Sequence, residues 1–172
     1  MLNNRRIDDA KSNVNSYLPE RLITKEPFKQ IVFDTYMRNH RESLEVAERL
    51  FNQNVSSLWV IVTSYYSMFY IANAVLYKFG YKIGSRIAHK VTADALIVFV
   101  RDRIRDNLLE NYEYAREEAM AVSDNIVDSF DSERIKRSRF QYETTESIKQ
   151  KQARTSFERA KEFSVEMEKL LL

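Results

Sequence analysis

The stretch Leu58–Lys90, LWVIVTSYYSMFYIANAVLYKFGYKIGSRIAHK, decides the fold, because no other segment of the chain is as apolar for as long. Between Leu58 and Leu76 an apolar or aromatic side chain recurs at Leu58, Val62, Tyr65, Phe69, Ala72 and Leu76. The alternating steps of four and three keep one stripe on one helix face. A second stripe, Trp59, Tyr66, Tyr70 and Ala74, runs beside it. A helix apolar around most of its circumference must be covered on several sides. The expected fold is therefore all-α, an up-and-down bundle of four to five helices packed round this one.

Composition agrees. A chain of 172 residues is the length of one domain and can bury a core that needs no covalent staples. Two Gly and two Pro are too few turn signals for a sheet protein. The absence of Cys removes disulfides, thiolate nucleophiles and thiolate metal sites, and fits a reducing compartment. The first 22 residues hold no apolar core of signal-peptide length, and Thr63, Ser64, Ser67 and Asn73 interrupt the run after Leu58. The expected location is cytoplasmic. A net charge of +2 excludes nothing by itself, so the distribution of charge carries the argument about partners.

In chain order, residues 1–26 read as a loosely packed N-terminal arm with one short helix, and 27–172 as the bundle. A long helix follows Pro27 and runs to about Gln53; charges at Arg38, Arg41 and Glu42 imply that its first half projects beyond the core. His40, among those charges, reads as exposed and idle. Ser56 or Ser57 can cap the central helix, and Gly80 suits its left-handed end. After a loop Tyr81–Gly84, Ser85 can cap a third helix running to about Leu109. A fourth carries Tyr112, Ala115, Ala119, Val122 and Ile126 and ends near Phe130. Asp131–Glu146 reads as a loop and a short helix, and the last helix starts at Ser147 with Gln150 completing a capping box.

Chemistry concentrates late in the chain. From Glu133 to Lys161, nine cations (Arg134, Lys136, Arg137, Arg139, Lys149, Lys151, Arg154, Arg159, Lys161) face the four acids Glu133, Glu143, Glu146 and Glu158. Arg134, Lys136, Arg137 and Arg139 could hold phosphates, with Phe140 and Tyr142 stacking on a base; the plain alternative is a solvated basic face. His89 is expected to pack on the central helix and hydrogen-bond to backbone or a tyrosine hydroxyl, with catalysis as the sharper reading. Tyr65 and Tyr66 would wall any cleft there. Two distant histidines make no metal-ligand pattern and two glycines no phosphate loop, so neither a metal nor a cofactor is expected.

The run Ser64-Tyr65-Tyr66-Ser67-Met68-Phe69-Tyr70, followed by Ala74, Leu76, Gly80, His89, Arg139-Phe-Gln-Tyr142 and a final helix with Ala160 and Phe163, resembles the HEPN superfamily, in particular its small stand-alone prokaryotic members. The likeness spans about Leu44 to Leu172. It implies a HEPN-like bundle, a homodimer, and a metal-independent endoribonuclease of toxin–antitoxin or antiviral defence systems, often beside a nucleotidyltransferase-like antitoxin. In that family an Arg holds the scissile phosphate, and a His four to six residues later moves the proton of the 2′-hydroxyl. Here no His follows Arg134, Arg137 or Arg139 at that spacing. By the resemblance the catalytic candidates are Arg139, His89 and Tyr142, although a phenol with a pKa near ~10 is a poor base at neutral pH. The competing expectation is a non-catalytic helical interaction module that dimerises or docks a partner protein.

Overall fold

The computed structural model describes residues 2–132 and 143–172, and the side chains of that set outside 124–148. The Leu58 stretch forms the central helix, Ser57–Lys78, buried continuously from Ile71 to Tyr77. In chain order the elements are α1 (Asn4–Tyr17), β1 (Ile23–Lys25), α2 (Gln30–Asn52), α3 (Ser57–Lys78), β2 (Tyr81–Ile83), α4 (Ala88–Phe99), a 3₁₀ turn at Arg101–Arg103, α5 (Asp106–Ser132) and α6 (Glu143–Lys169). Helices α2, α4, α5 and α6 pack on α3, and α1 packs on α4. The architecture is mostly helical, as the apolar circumference of α3 requires. By length and composition α3 could cross a membrane, but 67% of its most apolar window is buried inside the fold.

The ends of α3 follow local chemistry. The Ser56 hydroxyl accepts from the Trp59 amide, and Gly80 takes the left-handed conformation with φ of 90°. Other expectations fail. Tyr81–Ile83, read as loop, pairs antiparallel with Ile23–Lys25, Ile23 opposite Ile83. Ser85 caps nothing: α4 begins after Ile87, a β-branched residue held at φ 43° with no side-chain cap, a conformation that costs on the order of 1–2 kcal/mol. The third helix ends at Phe99 rather than Leu109, and the last begins at Glu143 rather than Ser147. Trp59 is half exposed, so the second stripe stops short of the helix start.

The N-terminal segment is not loose. Ala10, Val14 and Tyr17, one helical face of α1, are buried against the core, while Asn4 and Asn15 lie on the exposed side. His40 is likewise the reverse of exposed and idle, with 2% of its surface accessible. Its neighbours are charged, but it shares the inward face with Met37 and Ala47. Its Nδ1 lies 3.0 Å from the Ser67 carbonyl and 2.9 Å from the Ser67 hydroxyl, and its Nε2 lies 3.9 Å from Glu168. A carbonyl can only accept, so Nδ1 carries the proton.

Burial drives the His40 pKa below its ordinary value, with Arg41 adding to that and the Ser67 carbonyl and Glu168 opposing it. The unfolded chain therefore binds a proton more readily than the folded one, and stability must fall as pH drops below about 6.5. Urea unfolding at pH 7.5 and 5.5, above most carboxylate titration, should show the midpoint falling. His40→Gln should flatten that slope; an unchanged slope would assign it to His89 alone.

Candidate functional site

The residues with chemical potential meet where α3, α4 and α5 converge. Tyr65, wholly buried on α3, aims its hydroxyl at the second residue of α4, and Tyr65 Oη lies 2.8 Å from His89 Nδ1. The imidazole is half-buried against Phe69, 4.5 Å between ring centres, with the partly buried Tyr66 at 5.7 Å. Burial first, and then the charge of Arg116, lower the His89 pKa, so the ring is neutral at pH 7. Burial raises the Tyr65 hydroxyl far out of reach as a base.

Behind Tyr65 stands Tyr112 of α5, with ring centres 5.9 Å apart. Its hydroxyl is fully buried, and each phenol shifts the ionisation of the other. Yet the Tyr112 hydroxyl makes no well-directed hydrogen bond among the described residues. This gives His89 two neutral forms. If Tyr65 donates to Nδ1, then Nε2–H points outward as a donor. If Nδ1–H donates to Tyr65, whose own proton turns to Tyr112, then Nε2 presents a lone pair. No hydrogen bond to Nε2 is present among the described residues.

Beside this group α1 closes a second polar cluster. Asp94, buried on α4, accepts from the Tyr17 hydroxyl at 2.8 Å and from the Asn13 amide at 3.0 Å. Arg6 Nη1 lies 2.7 Å from its other oxygen, at an angle poor for a hydrogen bond, while the Arg6 Nε donates to Glu113 at 2.7 Å. Arg6, Asn13, Asp94, Lys90 and Arg116 line an open cavity of about 490 Å³. Lys90 is exposed on its rim. Arg116 thus lines the cavity while its charge acts on His89.

No protein-family profile matches the chain, and neither any curated protein nor any solved structure matches it.

Of the expected site residues, the structure brings His89 to Tyr65 and Tyr66. The hydrogen bond expected between His89 and a tyrosine hydroxyl is present. Tyr65 contributes its hydroxyl rather than an open ring face. Arg134, Lys136, Arg137, Arg139 and Tyr142 lie outside the described residues. Among the described residues no three of His, Asp and Glu gather closely enough to hold a metal ion.

The sequence reading missed Arg116, Arg6 and Asp94. Asp94 carried a signal, as the lone acid between Val91 and Val100 in an otherwise apolar helix. Arg116 carried a weaker one, as the only cation between Tyr112 and Met120. A third cluster, Ser67–His40–Glu168, has the order of a nucleophile, base and carboxylate, but Ser67 is wholly buried and no substrate can reach it.

Proposed function

We propose that the protein is a HEPN-like, homodimeric RNA- or nucleotide-binding protein that uses the edge formed by His89, Tyr65, Lys90 and Arg116 and, as a second element read from sequence alone, the cations of Arg134–Tyr142. The observation that carries this reading is the half-buried, neutral His89, held at Nδ1 by Tyr65 and with Arg116 within electrostatic reach. Arg116 and Lys90 supply charge for a phosphate, and Tyr66 and Phe69 supply aromatic surface. In the Nε2 lone-pair form, His89 is placed to take the proton of a 2′-hydroxyl. Attack on the adjacent phosphate would then give a cyclic phosphate and release the 5′-oxygen of the next nucleotide, which takes up a proton.

The test is RNA retention and cleavage by the purified chain in the presence of a chelator. His89→Ala should lower cleavage about 100-fold, and Arg116→Ala or Arg139→Ala should weaken RNA binding by roughly tenfold or more. If the wild type neither retains nor cleaves RNA at moderate salt, the reading is wrong. The second reading, a non-catalytic interaction module, draws support from the charged, solvent-facing side of α2. No cleavage, together with RNA retention that is indifferent to Arg116→Ala, would favour it.

A further inference from the structure

The exposed stripe of α2 is Ile31, Asp34, Arg38, Arg41, Glu42, Glu45 and Arg49, all solvent-facing. At 100° per residue these seven fall within about 100° of arc. The stripe lies opposite the face bearing Met37, His40 and Ala47 that packs inward. Its internal pairing is slight: Arg49 meets Glu45 one turn away, and Gln30 donates to Asp34. Arg38 and Glu42 make no ion pair among the described residues.

The order of charges along this stripe is its own complement when reversed. If a second copy is laid antiparallel on the first, with the two-fold axis passing between Arg41 and Glu42, then Arg41 of each copy faces Glu42 of the other. Arg38 then faces Glu45, and Asp34 faces Arg49. Ile31, 76% exposed, lies at one end of the stripe, and Phe28 and Val55, 45% and 61% exposed, lie in the chain just outside the two ends of α2. Sliding the helices by four residues destroys the match. In one direction Arg38 meets Arg49 and Glu42 meets Glu45; in the other Arg38 meets Arg41 and Asp34 meets Glu45. A symmetric interface needs a patch complementary to itself, and like charges in the wrong registers are how helix pairs select one alignment.

We infer that the outer face of α2 is a homodimer surface, occupied by α2 of a second copy in this antiparallel register. The interface is a ladder of ion pairs centred on Arg41 and Glu42. The inference rests on the proposed reading for the homodimer alone; it concerns a different face from the His89 site, so RNA binding can fail while the dimer stands.

The test is sedimentation equilibrium of the full chain and of variants whose folding is checked by thermal melting. E42R sets Arg against Arg41 of the other copy twice, at the axis, and should raise the dimer dissociation constant by about tenfold or more. The double variant R41E/E42R exchanges the charges and should bring the constant back to within about threefold of wild type. Raising salt from about 50 to 500 mM should weaken the wild-type dimer. A wild-type chain that stays monomeric to about 100 μM would overturn the inference. So would a dimer that E42R leaves unchanged, or one that R41E/E42R fails to restore.

Discussion

Replacing Asp94 with alanine is expected to cost about 3 kcal/mol of stability, the lower end of the range for removing one partner of a buried ion pair. The carboxylate is 1% exposed and holds three groups of α1 at once, through Arg6, Tyr17 and Asn13. Its loss leaves the Tyr17 hydroxyl buried without an acceptor and Arg6 with Glu113 alone. The Arg6 side chain is 24% exposed and keeps that second carboxylate, which is why the larger values are not expected. For a chain of this size the melting temperature should fall by about 6–12 °C. Asp94→Asn, which preserves shape and an acceptor oxygen, should cost distinctly less. Loss should be local before it is global. Limited proteolysis at Arg5, Arg6 and Lys11 ought to quicken in Asp94→Ala under conditions where the remainder is still folded. A penalty under about 1 kcal/mol would mean that desolvation had already cancelled the attraction.

Phe163→Ala is expected to be as damaging, about 3–5 kcal/mol, because the side chain is fully buried and the bundle cannot close over the space it leaves. Its consequence should reach the site. The Phe163 ring lies 5.4 Å from that of Tyr112, Tyr112 5.9 Å from Tyr65, and Tyr65 5.5 Å from His89. A void behind Tyr112 admits water and slackens Tyr65. The desolvation that depresses His89 then weakens, and its titration, followed by NMR, should move up toward the ordinary histidine value. Val165→Ala, on the exposed side of the same helix, should change stability by less than about 0.5 kcal/mol. Tyr112→Phe separates packing from hydrogen bonding. It removes a buried hydroxyl that makes no well-directed bond, so it should be near neutral, while Phe163→Ala is not.

How much of this could be read from the sequence depended on whether the signal was local. Ser56 and Gly80 act within one turn of their own backbone, and both ends of α3 follow from them. Ser85 failed because nothing local marks Ile87, an exposed β-branched residue in the left-handed conformation, as a helix start. The break between Phe99 and Asp106 is likewise made without Gly or Pro. His40 was misread because its neighbours in sequence are charged, whereas on a helix the residues three before and seven after, Met37 and Ala47, say where it points. The meeting of His89 with Tyr65 was legible in kind, since both belong to adjoining elements. The approach of Arg116 and Arg6 was not, because only the folded path brings α5 and α1 to the same end of α4.

The clasp of α1 by Asp94 also has a consequence in time. Tyr17 and Asn13 are separated from Asp94 by 77 and 81 residues, and β1 waits for β2. At synthesis rates of about 5–20 residues per second, roughly 4–16 s pass between the making of this first helix and of the carboxylate that fixes it. During that interval the nascent chain carries the apolar face of Ala10, Val14 and Tyr17 uncovered. The helix is made well before the carboxylate that secures it, so its apolar face is open to non-native contacts throughout the interval.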